Sequence, residues 1–180
     1  DGLFGAGYDS PYPYKLDVST NPGRKGFTVH ISNLDSSQYY NGLSSISALG
    51  DVNGDDIDDI IMGLRYHSPD YRELVDGAWT WLNPNAGSSI VLYGGTHSRN
   101  TYYWEGSLNG VNGFAIHNTG SYKFFGNTGD GGDFNGDGLN DIIVGAPHGD
   151  PELSNGVNED AGQIYVIYGS TTQSSTLKTD

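Results

Sequence analysis

The residues best able to do chemistry in this chain are oxygen donors gathered in two nine-residue runs. The first to stand out is Asp133-Phe134-Asn135-Gly136-Asp137-Gly138-Leu139-Asn140-Asp141, followed by Ile142-Ile143-Val144 and Gly145-Ala146-Pro147. Asp133, Asn135, Asp137 and Asp141 fall at positions 1, 3, 5 and 9, so a tightly turned loop can aim all four side chains at one hard cation. Calcium takes six to eight oxygen ligands at flexible geometry, and the position-7 carbonyl, here Leu139, helps to fill its shell. Gly136 and Gly138 permit the positive φ that so sharp a turn needs. The pattern recurs at Asp51-Val52-Asn53-Gly54-Asp55-Asp56-Ile57-Asp58-Asp59, with Asp51, Asn53, Asp55 and Asp59 in the same places and Ile60-Ile61-Met62-Gly63 behind them.

A simpler reading is that Asp, Asn and Gly cluster in turns because their side chains bond local backbone groups. A repeated nine-residue pattern with an apolar run behind it favours the metal loop over that reading. The EF-hand is the nearest rival, but it needs a bidentate Glu at position 12, where this chain has Met62 and Val144. The loop therefore closes at position 9, on Asp59 and Asp141. The first copy carries Asp56 where the second has Gly138, and that extra carboxylate is expected to strain the first turn.

The elements that must position these loops are strands. With 28 Gly and 13 Tyr in 180 residues and no 3.6-residue apolar stripe, the chain reads as all-β with many turns. Residues 1–25, with Pro11, Pro13 and Pro22, read as an irregular leader. Strands are expected from Gly26 to Ile31, from Leu43 to Leu49 into the first loop, and from Ile57 to Gly63 out of it. Residues 64–87 read as a long connection containing Ala78-Trp79-Thr80-Trp81-Leu82, and Ser88–Gly94 as a further strand. Gly113–His117 echoes the opening Gly-Phe segment, and Gly162–Gly169 echoes the strand at 88–94. Such internal repetition marks stacked or radial units that cannot each bury a face alone.

At these residues the chain resembles a known family. Gly50-Asp51-Val52-Asn53-Gly54-Asp55, the run from Asp133 to Gly145-Ala146-Pro147, and Phe124-Phe125-Gly126 are similar to FG-GAP repeats, the β-propeller blades of integrin α subunits and many bacterial surface proteins. The resemblance covers roughly residues 26–170. It implies β-propeller-like blades of four antiparallel strands, with calcium in the loop between the first two. Its implied ligands are Asp51, Asn53, Asp55, the Ile57 carbonyl and Asp59, then Asp133, Asn135, Asp137, the Leu139 carbonyl and Asp141. The chain departs from the family in the 64–87 insertion, in Leu64 where Ala is usual, and in repeat number. Residues 26–180 hold only two repeats, whereas a closed propeller needs at least about four blades.

That shortfall has a pattern. In the family that the chain resembles the Gly-Phe segment supplies the last strand of a blade, so the resemblance implies that residues 27–31 are a last strand with no blade before them, while the second blade reaches Thr171–Asp180 without one. An unpaired edge is a template for another chain. The expectation is head-to-tail strand exchange between copies, giving a ring or a filament, with Phe27, Val29 and Ile31 as contact residues. The alternatives are a fragment of a longer propeller, or residues 27–31 folding back on their own chain. Trp79 and Trp81, at period 2 in the insertion, are the further contact candidates for a protein or glycan ligand.

Composition narrows the function classes. The net charge of −14, from 22 acidic and 8 basic residues, argues against nucleic acid and anionic membrane partners. Cysteine is absent, which removes disulfides. No N-x-S/T sequon occurs, though Ser170–Thr172 and Ser174–Thr176 could carry O-linked sugars. An opening Asp1 fits a processed or truncated product, and weak calcium loops suit the extracellular milieu. No P-loop, G-x-S-x-G, H-E-x-x-H or dinucleotide motif is present, and the five His have no ligand spacing. The chain is expected to be a secreted, non-catalytic, calcium-binding repeat protein, either a self-assembling structural subunit or an adhesive module.

Overall fold

A computed structural model describes residues 28–30, 42–68, 72–75, 78–81, 84–95, 101–103, 108–120, 122–153, 156–157, 159–172 and 176–179. Every regular element among them is a strand. In chain order these are β1 (Thr28–His30), β2 (Ser45–Gly50), β3 (Asp59–Leu64), β4 (Arg72–Val75), β5 (Ala78–Trp81), β6 (Ser88–Leu92) and β7 (Thr101–Tyr103). There follow β8 (Gly113–Asn118), β9 (Asn127–Thr128), β10 (Ile142–Ala146), β11 (Glu152–Leu153), β12 (Gly156–Val157), β13 (Gln163–Ile167) and β14 (Thr176–Thr179). The leader at 1–25, and Phe27 and Ile31, lie outside the described residues.

β2, β3, β6 and β8 form a four-stranded antiparallel blade, and β14 extends it in parallel beside β8. The second blade has three strands in the order β13-β10-β9, also antiparallel. The acidic loops join β2 to β3 and β9 to β10. The 64–87 connection, read from sequence as a loop, contains the hairpin β4–β5, and the second blade has the shorter hairpin β11–β12 in the matching place. β14, within the Thr171–Asp180 stretch, is a strand of the first blade, and the second blade has no fourth strand among the described residues. Strand exits also shift: β3 starts at Asp59 rather than Ile57 because side chain to backbone bonds hold the residues before it in turns.

Period-2 alternation assigns the two faces of the first blade. Ile61, Val91, Phe114 and Ile116 point toward the second blade and form one cluster with its Ile142, Val144 and Ala146, joined by Leu49, Val52, Tyr93 and Phe125. Met62, Leu64, Ile90, Leu92 and Ala115 point the other way and form a second cluster, against which Val29 and Leu108 pack. Both faces are apolar because the sheet is covered on both sides, so β6 is buried along its whole length. The blades approach closely at Gly63, where a Cβ would overlap the Gly126 carbonyl. Ser45 Oγ donates to that same carbonyl at 2.7 Å and accepts from Thr128 N at 3.2 Å.

Candidate metal centre

Both loops are wound by their own side chains. Asp51 Oδ1 accepts the N–H groups of Asn53, Gly54 and Asp55 at 3.2, 2.6 and 3.2 Å, and its Oδ2 accepts that of Asp56 at 2.8 Å. Asn53 Oδ1 accepts from Asp55 N at 2.9 Å, and Asp55 Oδ1 from Ile57 N at 3.0 Å. The second loop repeats this wiring. Asp133 accepts from Gly136, Asp137 and Gly138 at 2.7, 3.1 and 2.9 Å, Asn135 from Asp137 at 3.0 Å, and Asp137 from Leu139 at 2.9 Å. Asp56 is held at φ 64° where Gly138 sits at 92°, so the first turn does place a non-glycine residue in the left-handed region.

The position-9 carboxylates anchor each loop to its blade. Asp59 is buried; its Oδ2 accepts from Val52 N at 2.9 Å and its Oδ1 from Gly94 N at 2.8 Å. Asp141 is buried in the same way, accepting from Phe134 N at 2.7 Å and Gly169 N at 2.9 Å. Each therefore ties the start of its loop to the exit of the third strand. The loops also touch each other: Asn140 N donates to the Asp51 carbonyl at 2.8 Å, and Ser170 N to the Val52 carbonyl at 2.9 Å.

Burial, backbone amides and neighbouring charge set the carboxyl groups of the loops. Burial pushes the Asp59 carboxyl above its ordinary range; the Gly94 and Val52 amides oppose the rise and the charges of Asp55 and Asp51 add to it. Burial, then the charges of Asp59 and Asp55, also lift the Tyr93 phenol to about 12. At Asp51 burial acts upward too, but the four backbone amides outweigh it and the carboxyl falls. Asp137 is lowered by the Leu139 amide and the Asn135 side chain. The charges of Asp51 and Asp55 thus reach Asp59. Among the described residues no three His, Asp or Glu side chains are drawn close enough to cage a metal, since here they rest on backbone amides. By chemistry the set fits a hard cation, being acceptor-only oxygens without sulfur or imidazole, each with lone pairs beyond those the amides use.

The other candidate residues are more scattered. Val29 is half-buried on the second apolar cluster, and β1 pairs in parallel with β7 of the same chain. Trp79 and Trp81 lie on β5, opposite Leu74 and Arg72 of β4. The five His share no spacing in the sequence, yet the fold brings two of them to one serine. Ser88 Oγ lies 2.7 Å from His67 Nδ1 and 2.8 Å from His117 Nδ1. Ser88 is fully buried, so this cluster pins strands together rather than presenting a nucleophile. Burial, then the neighbouring His117 charge, lowers His67 to about 4. His148 Nδ1 similarly meets Asp160 Oδ1 at 3.0 Å, beside the Lys123–Asp150 ion pair at 2.6 Å. No local spacing signals either group, because the partners come from separate turns and strands.

Comparison with known proteins bears on the second blade. The FG-GAP repeat family model matches residues 125–167, from Phe125 through the second acidic loop to the end of β13. No curated protein matches the chain.

Proposed function

We propose, with an FG-GAP repeat at residues 125–167 as the premise, that this chain is a non-catalytic calcium-binding module of the integrin α-like propeller type. It works outside the cell or at its surface, as a structural subunit that assembles head to tail. The observation that carries this reading is the matching set of hydrogen bonds from the third, fourth and fifth following amides to Asp51 and to Asp133, at equivalent strand junctions. Asp51, Asn53, Asp55, the Ile57 carbonyl and Asp59 hold one ion; Asp133, Asn135, Asp137, the Leu139 carbonyl and Asp141 hold the other. Calcium there neutralises carboxylates that otherwise repel, so its binding free energy adds to folding free energy. Its role is structural.

The extracellular assignment follows from the FG-GAP repeat, which occurs in surface proteins, and from the affinity range expected of extracellular calcium modules. No helix among the described residues is long and apolar enough to cross a membrane. An adhesive role is the second reading, favoured by Trp79 and Trp81 at alternate positions of a hairpin longer than its second-blade counterpart. One experiment separates the possibilities. Calorimetric titration of the chelated protein with calcium is expected to give two sites, with a higher melting temperature and fibres or rings by negative-stain electron microscopy. Absence of calcium binding would remove the metal role; binding without assembly would favour the adhesive module.

A further inference from the structure

The two repeats are unequal in a way that makes them complementary. One shift along the sequence carries Asp59 of β3 onto Asp141, and hence β2 and β3 onto β9 and β10. Another carries Ser88 of β6 onto Gln163 of β13 and also Thr101 of β7 onto Thr176 of β14. The recurrence of Gly26-Phe27 as Gly113-Phe114 carries β1 onto β8. Under these shifts the parallel pair β1–β7, with Thr28 opposite Thr101, becomes the parallel pair β8–β14, with Ala115 opposite Thr176. The complete sheet runs β14-β8-β6-β3-β2. Its counterparts are divided into β7-β1 and β13-β10-β9. Among the described residues, each piece is what the other lacks.

Burial tells the same story independently. On the first blade Val52, Ile61, Ser89, Val91 and Tyr93 are covered by the second blade, and none is more than 5% exposed. On the second blade the counterparts of Val52, Ser89, Val91 and Tyr93 are Phe134, Ile164, Val166 and Tyr168. These are 59, 75, 48 and 59% exposed, an apolar face awaiting a cover. At the far side of the first blade, Val29 already packs on Met62, Leu64, Ile90, Leu92 and Ala115. Its counterpart Ile116 lies in the cluster between the two blades. β1 therefore occupies the place of the last strand of a preceding blade, and its edge away from β7 is the one that β8 uses to bind β6.

We propose that a second copy of this chain completes the second blade, its β1, with β7 alongside, pairing antiparallel with β13. The register is that of β6 with β8: His30 of the incoming copy stands opposite Gln163, Val29 opposite Ile164 and Thr28 opposite Tyr165. The occupant is another copy because both complementary pieces belong to this one chain. This inference rests on the head-to-tail reading above and adds its surface and register. The contact is heterologous, so it closes into a ring or propagates as a filament.

Because the chain has no cysteine, introduced thiols report the contact directly. Val29→Cys and Ile164→Cys proteins, mixed in millimolar calcium under mild oxidation, are expected to form a mixed disulfide dimer. The antiparallel register brings the Cα atoms to about 4.5–5.5 Å, within disulfide reach. Val29→Cys mixed with Tyr168→Cys is expected to give none. Ile164→Glu, at an exposed position, is expected to melt as the parent does and to lose assembly in sedimentation. If the parent assembles but the first pair fails to cross-link and Ile164→Glu still assembles, this interface is wrong while head-to-tail assembly stands. If the parent stays monomeric at all concentrations in calcium, both are overturned.

Discussion

Asp137 and Asp141 share a loop but are expected to fail differently when truncated. Asp141 is fully buried, and its two oxygens accept the Phe134 and Gly169 amides at 2.7 and 2.9 Å. Asp141→Ala leaves both donors without that partner. A hydrogen bond to a charged group contributes about 1.5–3 kcal/mol, and a buried unsatisfied donor costs about 1–3 kcal/mol. Solvent reaching the opened loop recovers part of this, which puts the loss at roughly 2–4 kcal/mol before any metal is added. For a domain of this size that lowers the melting temperature by roughly 5–15 °C. Asp137 is exposed and bonds only within its loop, so Asp137→Ala should leave the chelated protein nearly unchanged. In millimolar calcium both variants should lose the metal-dependent gain. The assay is thermal and urea unfolding by circular dichroism, each in chelator and in calcium. Equal losses for the two variants in chelator would refute the anchor role of Asp141, and an Asp137→Ala loss identical with and without calcium would refute the ligand role of Asp137.

Three further substitutions probe the packing of the sheets and the second loop. His67 is lowered to about 4 from an ordinary 6.5 by burial and by His117, so the unfolded chain binds its proton first. Stability from this group is full above about pH 6.5 and is lost as pH falls toward 4, amounting to at most about 3 kcal/mol. Urea unfolding at several pH values should show a shallower acid loss in His67→Gln than in the parent; parallel curves would exclude His67 as the source. Gly63→Ala drives a Cβ into the Gly126 carbonyl at the blade junction and is expected to cost at least about 3 kcal/mol. Gly136→Ala meets no neighbour within 4 Å and should cost only the left-handed backbone term of about 1–2 kcal/mol. Comparable melting temperatures for the two variants would show that the blades do not meet at Gly63 in solution.

The local features of this chain were readable from residue types alone. Asp51 and Asp133 predict the turns that they wind, because an Asx side chain bonds amides a few residues on whatever surrounds it. The runs Ile60-Ile61-Met62 and Ile142-Ile143-Val144 predict strands, and they are β3 and β10. What escaped depends on contacts distant in sequence. Nothing near Thr176 marks it as the partner of Ala115. The spacing of His67, Ser88 and His117 gives no hint of their meeting. The role of Asp59 and Asp141 as anchors for Gly94 and Gly169 also depends on where the third strand ends.

The repeat itself explains why alternation within a strand could not decide burial. Val91 and Tyr93 carry the same residue types as Val166 and Tyr168, at matching places on and just past β6 and β13, yet the first pair is buried and the second exposed. Local pattern states which face of a sheet is apolar, whereas burial requires a second sheet to lie on it. For the first blade that sheet is the next repeat. For the second blade the chain repeats the apolar face without supplying its cover among the described residues, while β1 and β7 stand as the outer half of a blade whose inner strands are not among the described residues. The two unmatched halves share one register, and the mixed-disulfide test asks whether they meet.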